Sequence, residues 1–393
     1  MSFLAWVDFD HADRTRVRQI MDLFAEKDTR DELGLGSIRD ALADLMFPGT
    51  STIQTRLRYM FFVPWIYDDM RKVKGSAQDR VAAARKAEIR LIDALIKGGE
   101  QNLVIGSEAR AGLKRLPSDV YWAGLAAVGI RRFEGSRSDY LARATSLGQA
   151  EDEDANPARP WAAGLPKAPD GWLETIDFQL TSEEASFFKD RLAVSCTDSV
   201  LTELSRAADA DDCRMVWEHP LQAGWSPRNK DLVRNARLLS DLMHGAALLY
   251  NLLLSQLAEA RQAVPGPDWE TKVQEYRNAL KAWRTESNLA DLQAWNLSEL
   301  WDFSDSTTHR VTAQTRRFVT EWLQLVNEAA FDPAENPAAH QIIETRETRL
   351  KGGKSRFRNP AALVRWQGAS GIGRLNYRWP IVARHLKDLA SVD

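Results

Sequence analysis

The sequence predicts a mainly α-helical, multi-helix protein, arranged as two helical lobes with a basic C-terminal segment and few or no strands. Three observations carry this. Apolar residues recur at helical spacing in one segment after another, as at Ile38, Ala41, Leu42 and Leu45. A run from Pro227 to about Ala263 holds that pattern far beyond the length of any ordinary strand. Between such segments stand glycines, prolines and N-capping residues, and no fixed-period repeat links them.

Residues 3–9 (FLAWVDF) read as a short strand or an extended arm, and Asp13–Lys27 as a helix with Val17, Ile20, Met21 and Phe24 on one face. Ser37 can cap the next helix, which Phe47-Pro48-Gly49 ends. Thr50, Ser51 and Thr52 are competent caps for a following helix carrying Ile53, Leu57, Met60 and Phe61. Pro64 has no amide proton and crowds the preceding turn, so that helix should kink or restart at Trp65. The stretch from Tyr59 to Tyr67 is apolar nearly all round, as a helix buried on several sides is, and is far too short to span a bilayer. Ala77–Gly98 is amphipathic, its buried set being Val81, Ala84, Ile89, Leu91, Ile92, Leu95 and Ile96. Shorter helices follow over Ser107–Leu116, Ser118–Val128 and Ser136–Leu147.

Gly148–Gly171 marks the boundary between lobes. An acidic patch (Glu151, Asp152, Glu153, Asp154) precedes Pro157, Pro160, Pro166 and Pro169, a composition that reads as a linker or exposed loop. The expected domains are therefore 1–148 and 172–393, joined by 149–171. In the second, helices are expected over Thr181–Val194, Asp198–Ala208, Pro227 to about Ala263, Trp269–Thr285, Thr308–Ala330, Asn336–Leu350 and Pro380–Leu389. Leu238, Leu242, Ala246, Leu249 and Leu252 make the long one the core of its lobe.

At 393 residues with 44% hydrophobic content, the chain can bury a large core. Its net charge of −3 gives no global attraction to nucleic acid. Cys196 and Cys213 are far from CxxC spacing and fit two free thiols in a reducing compartment. The N-terminus MSFLAWVDFDHADR has acids where a signal peptide needs basic residues, and no long uncharged apolar run is evident. The expected location is cytoplasmic, with no membrane partner.

Six segments carry a resemblance: FPGTSTIQTR at 47–56, FVPWIY at 62–67, WVDF at 6–9, LPSDVYWAGL at 116–125, GIRRF at 129–133 and GRLNYRW at 373–379. Together they resemble a bacterial family of uncharacterised proteins defined by a domain of unknown function. The resemblance implies an association with helicases, DNA methyltransferases and nucleases in anti-phage defence islands. It brings no catalytic residues and no cofactor.

The largest compositional shift lies at 341–393. Eleven basic residues (Arg346, Arg349, Lys351, Lys354, Arg356, Arg358, Arg365, Arg374, Arg378, Arg384 and Lys387) face four acids, a surplus of seven, so the rest of the chain carries about −10. Charge segregated in this way is what a phosphate-binding face on an acidic protein requires. Phe357, Trp366, Tyr377 and Trp379 are interleaved with the arginines and could stack on bases, or else be core. Gly352-Gly353 and the glycines between 368 and 373 supply loops whose amides could approach a phosphate. The expected nucleic-acid-binding residues are Arg346, Arg349, Lys354, Arg356, Arg358, Arg365, Trp366 and Arg378.

Other patterns are weaker. AGLAAVGIRRFEGSRSDY, from Ala123 to Tyr140, echoes a helix-turn-helix about Gly129. It places Leu125 where a small residue belongs and Gly135 where a buried aliphatic belongs. His340 and Glu344 share a helix face with Glu347 and Lys351 behind them, which a metal-dependent nuclease could use, but no third ligand is evident. Pro48-Gly49-Thr50 opens a helix without GxxxxGK[ST], so N-capping explains it better than nucleotide binding. The expected function is a non-enzymatic DNA-binding or DNA-complex accessory subunit of a bacterial anti-phage defence system, without cofactor. The alternatives are a metal-dependent nuclease using Glu344, Glu347 and Lys351, and a protein-protein scaffold.

Overall fold

A computed structural model describes residues 31–147, 159–207, 212–261 and 264–392. Among these residues the chain forms fifteen α-helices, five short 3-10 turns and no sheet. The fold is mainly α, as the periodicity requires. The arm at residues 3–9, the helix expected over Asp13–Lys27 and the acidic patch at 151–154 lie outside the described residues.

Two compact units form. One comprises Met1–Leu42 and Arg234–Leu375, the other Ala43–Val233 and Asn376–Asp393. The basic segment 341–393 is thus shared out, with Arg378, Arg384 and Lys387 in the second unit and the remainder in the first. The divisions fall inside α1 (Gly36–Met46), inside the long helix beginning at Pro227, and after Leu375.

The second unit is built on α2 (Tyr59–Asp69), in which every residue from Tyr59 to Tyr67 is buried. α2 runs through Pro64 without restarting, its first turn beginning only at Tyr59. The expected start near Thr52 does not occur, and Ile53 is 44% exposed. Side chains satisfy the backbone of 47–57 in place of helical bonds. Thr50 Oγ1 donates to the Phe47 carbonyl (2.7 Å), and Gln54 Nε2 to that of Gly49 (2.9 Å). Tyr121 Oη accepts from the Thr55 amide (2.9 Å) and donates to the Arg56 carbonyl (2.8 Å). A backbone so committed cannot also wind.

Around α2 pack α3 (Ala77–Lys97), α4 (Pro117–Ala127) and α5 (Arg137–Arg143). Their aromatic rings interlock: Tyr59 stacks on Tyr121 at 5.2 Å, and Tyr67 lies 5.0 Å from Trp122. Trp65 meets Trp172 edge-on at 5.3 Å. Trp161 comes from the proline-rich boundary stretch and Trp172 directly follows it; the described part of that stretch is packed into this unit. Trp161 bridges Arg131, and Trp65 Nε1 donates to the Pro166 carbonyl (2.7 Å). α6 (Ser182–Ser195) and α7 (Val200–Ala207) complete this half of the sequence. Val81, counted among the buried face of α3, is 48% exposed, while Arg80 and Glu88 are buried in its place.

The first unit gathers on α8 (Pro227–Arg261). Leu238, Leu239, Leu242, Ala246, Leu249 and Leu252 are all buried. α8 is the one described helix long and apolar enough to cross a membrane, and 83% of its most apolar window is buried in the fold. Its carbonyls anchor indoles: Trp283 Nε1 donates to Asp241 O (2.8 Å) and Trp322 Nε1 to Leu242 O (2.9 Å). Those rings come from α9 (Trp269–Glu286) and α12 (Ala313–Val326), separated by the short α10 (Leu289–Gln293) and α11 (Leu297–Asp305). α13 (Pro337–Lys351) and α14 (Pro360–Val364) follow in the same unit, and α15 (Trp379–Ala390) closes the described chain in the second.

Candidate functional site

The basic residues of the first unit are held on α13 and on the turn that leaves it. Asn336 caps α13 through its side chain on the Ala339 amide (3.0 Å), and Pro337 occupies the first helical position, where no amide is missed. α13 ends at Gly352, whose φ of +51° is open to glycine at little cost. A 3-10 turn over Gly352–Lys354 follows. Asn359 fastens the far side. Its Oδ1 caps α14 on the Ala361 amide (3.0 Å), and its Nδ2 donates back to the Gly353 carbonyl (2.7 Å).

Beneath that turn is a closed ionic knot. Glu347, fully buried, accepts from Ser355 Oγ and from the Arg356 amide (2.8 Å). Lys351 pairs with Glu32 and lies 3.5 Å from Glu347. Arg356 pairs with Glu32 at 3.0 Å and donates to Tyr250 Oη (2.6 Å), to which Lys351 also donates (3.1 Å). Ser370 Oγ donates to the other oxygen of Glu32. Burial works against ionisation of Glu32, but the bonds from Lys351 and Ser370 and the charge of Arg356 prevail and hold it below the usual carboxylate range. Buried ion pairs are tolerated when every lone pair and proton is met in this way.

The eight residues expected to contact nucleic acid divide sharply. Arg346 is 7% exposed and donates to the carbonyls of Leu33 (2.8 Å) and Gly34 (3.0 Å) and to Thr315 Oγ1 (2.9 Å). Arg356 belongs to the knot. Trp366 is 3% exposed and stacks on Trp269, with ring centres 5.5 Å apart and planes 14° from parallel. Arg378, in the second unit, pairs with Asp44 and donates to the Thr50 carbonyl (2.8 Å). The other four, Arg349, Lys354, Arg358 and Arg365, are exposed, and their side chains make no hydrogen bond or ion pair among the described residues. Arg358 also lines an open groove of about 490 Å³ with Thr348, Gly352, Gly353, Asn359 and Pro360.

Thr348, Asn359 and Pro360 were not among the residues expected from sequence. An Asn-Pro pair opening a short helix is a readable signal, with asparagine at the cap and proline at the first helical position. It was obscured by the arginines around it.

The other candidate chemistry resolves into structure. His340 Nε2 contacts the carbonyls of Pro333 (3.2 Å) and Ala334 (3.1 Å), Glu344 is exposed, and Glu347 and Lys351 are bound in the knot. No group of three His, Cys, Asp or Glu side chains able to hold a metal occurs among the described residues. Arg131 lies over the Trp122 ring at 4.8 Å, and Arg137 donates to Ser118 Oγ (2.7 Å). Burial pushes the Cys196 thiol up to about 11, so it is protonated and unreactive at neutral pH.

No curated protein and no solved structure matches the chain. A family model described as a family of unknown function (DUF6361) matches residues 1–393. The chain, from the FPGTSTIQTR turn to the GRLNYRW tail, therefore belongs to that family of unknown function.

Proposed function

We propose that this protein is a non-enzymatic subunit that binds DNA, or a DNA-bound complex, in a bacterial anti-phage defence system. In this reading it acts in the cytoplasm beside separate helicase, methyltransferase or nuclease proteins. One observation carries the DNA contact. Arg349, Lys354, Arg358 and Arg365 are exposed and unpaired among the described residues, in a segment where the other basic residues of the first unit are largely consumed by internal partners. Four free cations between positions 349 and 365, unopposed by any acid in that interval, favour a polyanion. The contact is to the phosphate backbone, because the aromatic residues that could stack on bases are engaged within the fold: Trp366 by Trp269, half-buried Phe357 edge-on by Tyr250, and Tyr377 and Trp379 within the second unit.

The test is binding of duplex DNA across a salt series. It compares the wild-type chain with a variant carrying Arg349→Glu, Lys354→Glu, Arg358→Glu and Arg365→Glu. The reading expects wild-type affinity to fall steeply with salt and the variant to bind weakly with a shallow slope. Equal binding by both proteins, or none by wild type at low salt, defeats it.

A further inference from the structure

We infer that the cavity lined by Thr348, Gly352, Gly353, Arg358, Asn359 and Pro360 binds one phosphorylated ligand of nucleotide size, with Arg358 holding the phosphate. It shares Arg358 with the strand-binding reading but rests on the cavity rather than on surface charge.

The charge of the lining comes first. Arg358 is its one ionised residue, and no acid lines the cavity. The nearby carboxylates are spent, Glu347 on Ser355 and Arg356, and Glu32 on Lys351, Arg356 and Ser370. The five N–H groups of Arg358 have no partner in the protein among the described residues, and a planar fork of donors matches a phosphate oxygen pair. Lys354, its side chain also unpaired, sits on the 3-10 turn that supplies Gly352 and Gly353.

Size then narrows the ligand. About 490 Å³ of open groove leaves room for a nucleotide and far exceeds a lone phosphate group. Two adjacent glycines line the groove without side chains, and a Cβ built on either meets open space. The Pro360 ring and the glycine backbones provide apolar surface for a sugar or base, while Thr348 Oγ1 offers a hydroxyl beside Ser355 Oγ (3.3 Å).

The backbone beneath the groove is also fixed before any ligand arrives. Asn359 ties Gly353, its amide donates to the Ser355 carbonyl (2.8 Å), and Ser355 is held by Glu347. A backbone held in this way leaves the Arg358 side chain as the main part to be ordered on binding.

The experiment measures binding of AMP, adenosine and inorganic phosphate, and of a blunt DNA hairpin, to the full chain and to Gly353→Leu, Arg358→Ala and Arg365→Ala. Gly353 lines the groove and has no positive φ and an open Cβ direction, so leucine there adds bulk to the lining without a clash in the turn. AMP should bind at least tenfold more tightly than adenosine or inorganic phosphate. Gly353→Leu and Arg358→Ala should each weaken AMP tenfold or more, and Arg365→Ala less than twofold. Equal binding of AMP and adenosine, equal binding of AMP and phosphate, or an unchanged AMP affinity in Gly353→Leu overturns the site. Absent AMP binding with hairpin binding intact overturns the pocket alone. AMP binding without hairpin binding upholds the pocket and removes the strand-binding reading. A 5′-phosphorylated single strand that competes with AMP identifies a strand end as the source, and failure to compete identifies a free nucleotide.

Discussion

Asp388, near the C-terminal end of α15, binds both the guanidinium of Arg56 (2.8 Å) and the backbone amide of Leu57 (2.8 Å). One buried carboxylate thereby pins the last residue of the FPGTSTIQTR motif to a helix more than three hundred positions later. Arg384, on the same helix, adds a bond to the Thr55 carbonyl (3.4 Å). The chain between Gly49 and Tyr59 forms no helix, so these contacts, with those from Tyr121, determine where α2 begins.

Removing that carboxylate should therefore unfold more than one contact. Asp388→Ala leaves a buried amide and a largely buried guanidinium unanswered, a loss of about 3 kcal/mol. Asp388→Asn keeps an acceptor for Leu57 and should lose roughly half as much. Urea unfolding of both variants reads the difference, and an unchanged midpoint for Asp388→Ala would show the tie to be dispensable.

Gly124 gives a second, steric prediction. A methyl group at this position of α4 would overlap the Gly49 carbonyl oxygen, a backbone atom that cannot swing aside. Gly49 itself has φ +79° and stands against Val128, so the turn has no room to retreat. Gly124→Ala, which elsewhere in a helix would raise stability, should here cost about 1–3 kcal/mol. A melting temperature equal to or above that of wild type would contradict the close approach.

Much of this was legible in the sequence, and the failures have a common cause. Periodicity located the helices because burial of one face is a local pattern, and it identified the Tyr59–Tyr67 stretch and the 238–252 leucines as core. It misplaced the start of α2 because the competitors for that backbone, Tyr121 and Asp388, are distant in sequence. It likewise could not separate Arg346 and Arg356 from Arg349 and Arg358. All four are alike in composition, and the difference lies in Glu32, Leu33 and Thr315, which only folding brings near.

Glu88 should make stability fall as pH rises. It is fully buried on α3, where it accepts from the Ser118 amide and hydroxyl (2.8 Å each), with Arg137, Asp119 and Tyr67 around it. Burial pushes its carboxyl up to about 7 from an ordinary 4.5. Between those values the folded chain keeps a proton that the unfolded chain releases, so stability declines across that window and levels off above it. The full span is worth on the order of 3 kcal/mol. Glu88→Gln keeps the geometry without the titration, and pH-dependent urea midpoints should lose that decline. An identical pH profile in the variant would remove Glu88 as its source.

His385 works in the opposite sense. Burial, helped by the charges of Arg384 and Arg56, holds it down to about 3, and its Nε2 finds no partner. Below pH 6.5 the unfolded chain gains a proton there that the folded chain refuses, so stability falls with acid from about pH 6.5 to 3. His385→Leu should flatten this acid arm and change stability by less than about 1.5 kcal/mol at pH 8. An acid arm as steep as that of wild type would assign the effect elsewhere.

Arg346 and Arg358 separate structure from binding within one short segment. Arg346→Ala removes three donors from buried acceptors and a guanidinium stacked 5.1 Å over Phe318, so about 2–4 kcal/mol of stability should go with it. The dependence of DNA affinity on salt should stay as in wild type, since a buried cation releases no counterions. Arg358→Ala and Arg349→Ala should each leave the melting temperature within a degree or two, because exposed, unpaired residues contribute within about 0.5 kcal/mol. Each should lower the logarithmic salt slope by about 0.9 if its guanidinium meets a phosphate. Circular dichroism melts beside fluorescence titrations at several salt concentrations provide both readouts on the same proteins. A reduced slope in Arg346→Ala at unchanged stability, or an unchanged slope in Arg349→Ala and Arg358→Ala together, would move the contact surface away from the turn after α13.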